Sequence, residues 1–237
     1  MTSLVVYMLR SYTLSQRYFA PFAGILIAVL VLYSYTPNPV MNSYAATAVI
    51  LFIGCACLGL SFLNHEHPVQ RQLTTVHLRS IRKYNMGCLL TLGVLTLLLD
   101  VLIVVYPLVT GRFDEQAGLY RIMLALTGHA LLGLLGIAIS LFLQSSVIKK
   151  ASHATGIMLA VIIISIGGTK ITEFLPGSLT YLRLLLPPVS PVMDAMMNAD
   201  QISGVAVLVP LLHITIYTAL LIGFYGYRSG KRDMNKN

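Results

Sequence analysis

Charged side chains are scarce in this sequence. They make up 10% of its 237 residues, against roughly 25% in an ordinary soluble domain. The deficit argues against a water-soluble globule. The hydrophobic share is 57% and the mean hydropathy +0.80, and the apolar residues gather in runs near the roughly 20 that cross a bilayer as helix. Composition therefore predicts an all-α integral membrane protein, one membrane domain over residues 1–237, with no length left for a soluble catalytic domain.

Cysteine is equally sparse. Cys55, Cys57 and Cys88 fall in or beside predicted spans, and an odd number there gives no disulfide framework. Cys55 and Cys57 lie on different sides of a helix, so they read as small packing residues rather than paired metal ligands. The motifs of nucleotide and hydrolytic chemistry are missing too. No G-x-x-x-x-G-K-[S/T] loop occurs; "GYRSGKR" from Gly226 has the wrong spacing. Neither G-x-S-x-G nor H-E-x-x-H is found, and no span carries an acidic pair. "HEH" at His65–His67 places its histidines on different sides of a helix, a poor zinc arrangement. The chain reads as noncatalytic, with no cofactor or metal of its own. The first residues, "MTSLVVYMLRSYTLSQRYF", make a poor signal peptide: the apolar run is short, and Arg10 and Arg17 follow it instead of preceding it. This segment is expected to be retained.

Hydropathy places six spans at about 19–36, 44–64, 86–108, 120–145, 152–169 and 204–226. An even number puts both termini on one side. Arg10 and Arg17, then Arg71, Arg79, Arg82 and Lys83, then Lys149 and Lys150, then Arg228, Lys231, Arg232 and Lys236 all fall on that side, twelve of sixteen lysines and arginines. By the positive-inside rule both termini are cytoplasmic, in the cell membrane. The net charge of +8 then reflects topology and not a nucleic-acid partner.

The largest predicted cytoplasmic loop lies within "NHEHPVQRQLTTVHLRSIRKYNMGC", Asn64 to Cys88. On a helical wheel of about 100° per residue, Val69, Leu73, Val76, Leu78, Ile81 and Tyr84 occupy one half. Arg71, Arg79, Arg82 and Lys83 occupy the other. Two readings are open: a basic loop that merely obeys positive-inside, or an amphipathic helix turning its cations to lipid phosphate or an acidic partner.

Other features punctuate the chain. Residues 1–18 suit an interfacial helix, with Arg10 and Arg17 on one face and Pro21 at a bend into the first span. Ala125, His129, Gly133, Gly136 and Ser140 form a small-residue stripe on the fourth span, suited to close helix packing. Asp100 and His129 lie inside spans, where an ionisable group marks either a polar spot on a translocation path or a structural hydrogen bond. The stretch from Thr169 to Gly204 is broken by Pro176–Gly177 and Pro187–Pro188. "SPVMD" predicts a helix start, with Ser190 as N-cap, Pro191 in the first turn and Asp194 near the positive end of the dipole. Two short helices dipping into the outer leaflet fit this external segment, 170–203.

This arrangement resembles the ABC-2 type permeases, the membrane subunits of a class of ATP-binding-cassette exporters. Glu66 after the second span, Leu73, "LRS" at Leu78–Ser80, and Lys83 entering the third span resemble that family's cytoplasmic loop. The resemblance implies an interfacial N-terminal helix, six spans, a coupling helix within 65–84 and two re-entrant helices before the last span. It implies two copies of a separate ABC ATPase subunit, which would bind ATP and Mg, and a second permease subunit, identical or homologous. Glu66, Arg71, Leu73, Val76, Leu78, Arg79 and Lys83 become the ATPase contact, with Lys149 and Lys150 a second one. The cargo path would follow the dimer interface, lined by Gly54, Cys57 and Ser61 of span 2 and Gly156 and Ala160 of span 5, with Asp100 and His129 as polar spots. For these small residues, packing within one subunit is the alternative. Pro187, Pro188, Ser190, Pro191 and Asp194 would cap the path from outside. The interior lacks a charged ring of the ion-channel kind, so an amphipathic or lipophilic cargo is expected: a peptide, an antimicrobial or a lipid-like molecule. The competing reading is a stand-alone six-span immunity or chaperone-like membrane protein without an ATPase.

Overall fold

A computed structural model of the chain describes residues 1–173 and 184–234. Among these residues ten helices follow one another: α1 (Thr2–Leu14), α2 (Phe19–Leu32), α3 (Val40–Leu63), α4 (Pro68–Leu78), α5 (Ile81–Val109), α6 (Gly118–Ser140), α7 (Ala151–Ile166), α8 (Gly168–Glu173), α9 (Val189–Met197) and α10 (Gly204–Met234). No strand occurs among the described residues. Among the described residues four helices are long and apolar enough to cross a bilayer: α3, α5, α6 and α10 through Ser229. The pair α1–α2, bent by 82°, adds a fifth if it is counted as one span. The six expected crossings are thus met by four to five helices of spanning character. With 14 and 16 residues, α2 and α7 cover about 21–24 Å of a hydrocarbon core of about 30 Å. Hydropathy reads apolar run length. It does not register that α2 stops at Leu32, or that α7 gives way to Gly167 and the separate short helix α8.

The centre is the parallel pair α3 and α6, and small residues set their spacing. Had Gly136 a Cβ, it would lie 2.5 Å from the Phe52 carbonyl oxygen and 3.0 Å from the Ala56 nitrogen, both on the α3 backbone. A Cβ on Gly133 would meet Thr96 and Cys55, and one on Gly59 would meet Ser140. The predicted stripe from Ala125 to Ser140 is wholly buried. It faces α3, where missing side chains let two backbones approach and gain dispersion contacts that lipid cannot supply. Further along the seam, the Thr47 hydroxyl and the His129 Nε2 are 2.9 Å apart, and His129 Nδ1 is 2.8 Å from the Ala125 carbonyl.

The other helices dress this pair. Ile25 of α2 fills the space above Gly54. The Tyr44 hydroxyl of α3 donates to the Val104 carbonyl of α5 at 3.1 Å. Leu4 and Met8 of α1 lie over Gly87 of α5, with the Thr91 hydroxyl 3.8 Å from the Met8 sulfur. Met196 of α9 sits over Gly128 at the other end of α6. The last helix, α10, is only 17% buried over its apolar window, so most of its surface is left for lipid or another chain.

Several expectations shift in detail. The bend after α1 falls at residues 15–18, where Gln16 takes a left-handed backbone with φ of 55°. Pro21 lies inside the first turn of α2, and Arg17 sits in the link, not on the α1 face with Arg10. Ser190 does not cap its own helix: α9 starts at Val189 with Pro188 before it, and the Ser190 hydroxyl instead accepts from the Thr169 amide of α8 at 3.1 Å. The predicted break at Pro176–Gly177 lies outside the described residues.

Candidate functional site

The loop after α3 folds into one short helix with caps the sequence supplies. His67, the N-cap of α4, accepts from the Val69 amide at 3.4 Å, and Pro68 takes the first helical position. At the other end Arg79 adopts a left-handed conformation, φ 52°. Ser80 then caps α5 by accepting from the Lys83 amide at 3.3 Å. The single wheel expected from residue 69 to 84 is therefore broken at Arg79–Ser80, and Ile81 and Tyr84 belong to α5.

The two faces of α4 are inverted relative to that of an ordinary surface helix. Arg71, Thr74, Thr75 and Leu78 form the inner face and are half-buried. Val69, Leu73 and Val76 point away, with exposures of 56%, 67% and 74%. Arg71 is turned inward because Tyr84 receives it: its guanidinium lies 5.3 Å from the ring centroid, a cation–π contact. The Tyr84 hydroxyl donates to Glu66 Oε2 at 2.7 Å, so Glu66 and Arg71 are drawn to the same ring. Gln70 donates to the Tyr7 hydroxyl at 2.9 Å, tying α4 to α1. Arg79, Arg82 and Lys83 are exposed.

Asn64 joins three elements at the head of this segment. Its carbonyl accepts from the Arg17 guanidinium at 2.8 Å, and its side-chain oxygen accepts from the Ser145 amide at 2.8 Å. The second bond anchors the loop that follows α6 beside the α3–α4 link. Lys149 and Lys150 stand exposed further along that loop, and the Lys150 carbonyl accepts from the amides of α7's first turn.

Behind α4 lies a buried polar hub. Gln144 donates to the Tyr225 hydroxyl at 2.7 Å; that hydroxyl faces Asn85 Oδ1 at 3.4 Å, and Asn85 donates to Ser229. The Arg71 side chain also faces Tyr225. The hub links α4, α5, the turn after α6, and α10. The sequence pattern places Tyr84 only on the apolar half of the loop's wheel and gives no role to Asn85, Gln144 or Tyr225. The available signal was an amide side chain at one end of each of two apolar runs, at Asn85 and Gln144, where burial demands a partner.

The other predicted residues fall in separate places. Gly54 is occupied by Ile25, and the Ser61 hydroxyl donates to the Arg17 carbonyl at 2.9 Å, so both make contacts inside one chain. Cys57 is half-buried. Gly156 and Ala160 lie on the outward face of α7, with nothing within 4 Å of a Cβ at Gly156. Asp100 and His129 are 2% and 0% exposed. Asp100 carries a carboxylate oxygen without a hydrogen-bond partner, whereas His129 is bonded at both ring nitrogens. Of the residues expected to cap a path, Pro188 and Ser190 are buried, Pro187 and Pro191 half-buried, and Asp194 exposed. The inner face of α9, Val189, Val192 and Met196, belongs to the main core. No family model, curated protein or solved structure matches this chain.

Proposed function

We propose that the chain is the permease subunit of an ABC exporter, docking a separate ATPase through α4. The observation that carries this reading is the outward apolar face of Val69, Leu73 and Val76. On a helix of eleven residues with no buried side chain, such a face is costly in water. It suits a groove on a partner, where a few desolvated apolar anchors dominate the binding energy. The surrounding cations, Arg79, Arg82, Lys83, Lys149 and Lys150, suit an acidic rim on the same partner. Glu66, Arg71 and Leu78 then hold α4 from behind instead of touching the ATPase.

On this reading both termini face the cytoplasm, α2 and α7 complete six crossings, and α8 with α9 forms an external re-entrant segment. Two permease chains meet along their membrane faces, and Gly156 and Ala160 on the open side of α7 suit that contact. ATP and Mg belong to the partner. Closure of two ATPase subunits would move α4, and the polar hub would pass the movement to α10. Among the described residues the buried charged or ionisable groups inside the apolar helices, Asp100 and His129, form no ring, which suits a cargo that is amphipathic or lipophilic, moved outward.

The test is co-expression with candidate Walker-motif ATPases and purification through a tag on this chain. The ATPase should copurify with the wild type and be lost from Leu73→Asp combined with Val76→Asp, while membrane insertion is unchanged. Normal assembly in the double variant would remove α4 from the contact. Failure of every ATPase to copurify would favour a stand-alone membrane protein.

A further inference from the structure

One carboxyl inside the apolar length of α5 is left unanswered by its surroundings. Asp100 lies on the inner face of the helix with Thr96, Ile103 and Val104, all wholly buried, and is itself 2% exposed. Leu97, Leu98, Val101 and Leu102 turn the other way and are exposed. The helix ends at Val109, about 14 Å further along its axis, so Asp100 falls within a hydrocarbon core of about 30 Å. One turn before it, the Thr96 hydroxyl lies 3.5 Å from the Cys55 sulfur of α3. One turn after it, the Val104 carbonyl accepts from the Tyr44 hydroxyl at 3.1 Å. Between these two engaged positions, Asp100 Oδ1 is buried without a hydrogen-bond partner.

No countercharge compensates it. The ion pairs among the described residues leave Asp100 out. Its nearest lysine or arginine along the chain is Lys83 in the first turn of α5 on one side and Arg112 beyond the helix end on the other. The titratable side chains on the elements around this stretch are Cys55 and Tyr44 of α3, His129 of α6 and Tyr33 after α2. Tyr44 donates to Val104, His129 is bonded at both ring nitrogens, the Cys55 sulfur faces Thr96, and the Tyr33 hydroxyl has no partner. A buried carboxylate without pairing or coordination takes up a proton instead of keeping its charge. A hard metal ion is a poor occupant, because it needs several oxygen ligands. No group of three His, Cys, Asp or Glu side chains able to hold one occurs among the described residues.

We propose that Asp100 is a proton-binding site, filled at neutral pH while α3, α5 and α6 are packed as here and emptied when they part and water reaches it. On emptying, the proton passes to water and the carboxylate that remains is solvated. The packed state holds one proton more than the wetted state. Raising the pH therefore favours parting, and lowering it opposes parting. The site needs no ATPase and stands whether or not the exporter reading does.

Infrared spectroscopy reads the proton directly. A protonated carboxyl has a carbonyl stretch apart from the carboxylate and amide bands, and the stretch moves in heavy water. The full chain, in a detergent free of ester carbonyls at pH 7, should show one such band. Asp100→Asn, which keeps the shape of the neutral acid, should lack it. Asp114→Asn, at an exposed position, should keep it, since a carboxyl in water is almost wholly ionised at that pH. Carbon-13 in the aspartate carboxyls should shift the wild-type band, an assignment that needs no variant. Reversible unfolding supplies the second readout. Folding of the wild type should take up a proton that folding of Asp100→Asn does not. The ratio of their folding constants should then fall by up to tenfold for each pH unit between about pH 6 and 8. Absence of the band at pH 7, a band that sodium removes, or a folding ratio independent of pH would overturn the proposal.

Discussion

Gly136 and Gly156 stand in helices of similar apolar character, yet they have opposite surroundings. A side chain at Gly136 meets the α3 backbone, which cannot move aside as a rotamer can. Gly136→Val should destabilise the fold by about 1–3 kcal/mol or more, the usual cost of overpacking, read as a lower melting temperature in detergent. Gly156→Val should leave that temperature unchanged, because nothing lies within 4 Å. Thr47 and His129 make a second residue-scale case. Thr47→Val keeps the shape but deprives the wholly buried His129 Nε2 of its partner, at a cost of about 1–3 kcal/mol. Asp100→Leu separates two roles. If the carboxyl is only structural, its partnerless oxygen is a burden, and the variant should be as stable as the wild type or more so. Loss of transport with stability intact would assign it to the path.

At the scale of elements, the polar hub makes the strongest prediction. Tyr225→Phe removes the bonds to Gln144 and Asn85 that join α10 to the turn after α6 and to α5. Combined with Gln144→Leu in a double-mutant cycle followed by thermal unfolding, the two should be non-additive by about 0.5–3 kcal/mol. Additivity would mean the helices are held by packing alone. The sequence made the long helices legible, since α3, α5, α6 and α10 all carry apolar runs of spanning length. It also made legible a separate helix at the start of the chain and a short one in the loop after α3. It did not reveal how α4 turns. A wheel sorts residues by angle, and Arg71 goes inward only because Tyr84, thirteen positions later and on another helix, lies beneath it. The Arg79 break was equally hidden, because a left-handed arginine leaves no compositional mark beyond the serine that follows. Ser190 was misread for a similar reason: a hydroxyl before Pro191 suits its own helix, and only the tertiary structure brings the Thr169 amide to it.

For the molecule as a whole, the cations sort by end. Arg10, Arg17, Arg79, Arg82, Lys83, Lys149 and Lys150 lie toward the end where α4 and Asn64 meet. The ion pairs among the described residues, Arg121 with Glu115 and Asp200, and Lys170 with Glu173, lie toward the other. In a background without Cys55, Cys57 and Cys88, a cysteine at Asp200 should react with an impermeant maleimide on intact cells. One at Gln16 should react only after permeabilisation. The most direct measurement of the central claim is photocrosslinking from α4 in living cells, with a benzophenone amino acid in place of Leu73. One dominant adduct is expected, an ATPase bearing a Walker motif, lost when Val76→Asp is added. Adducts confined to lipid or to this chain, under conditions where a benzophenone at Leu220 in α10 captures its own neighbours, would contradict it.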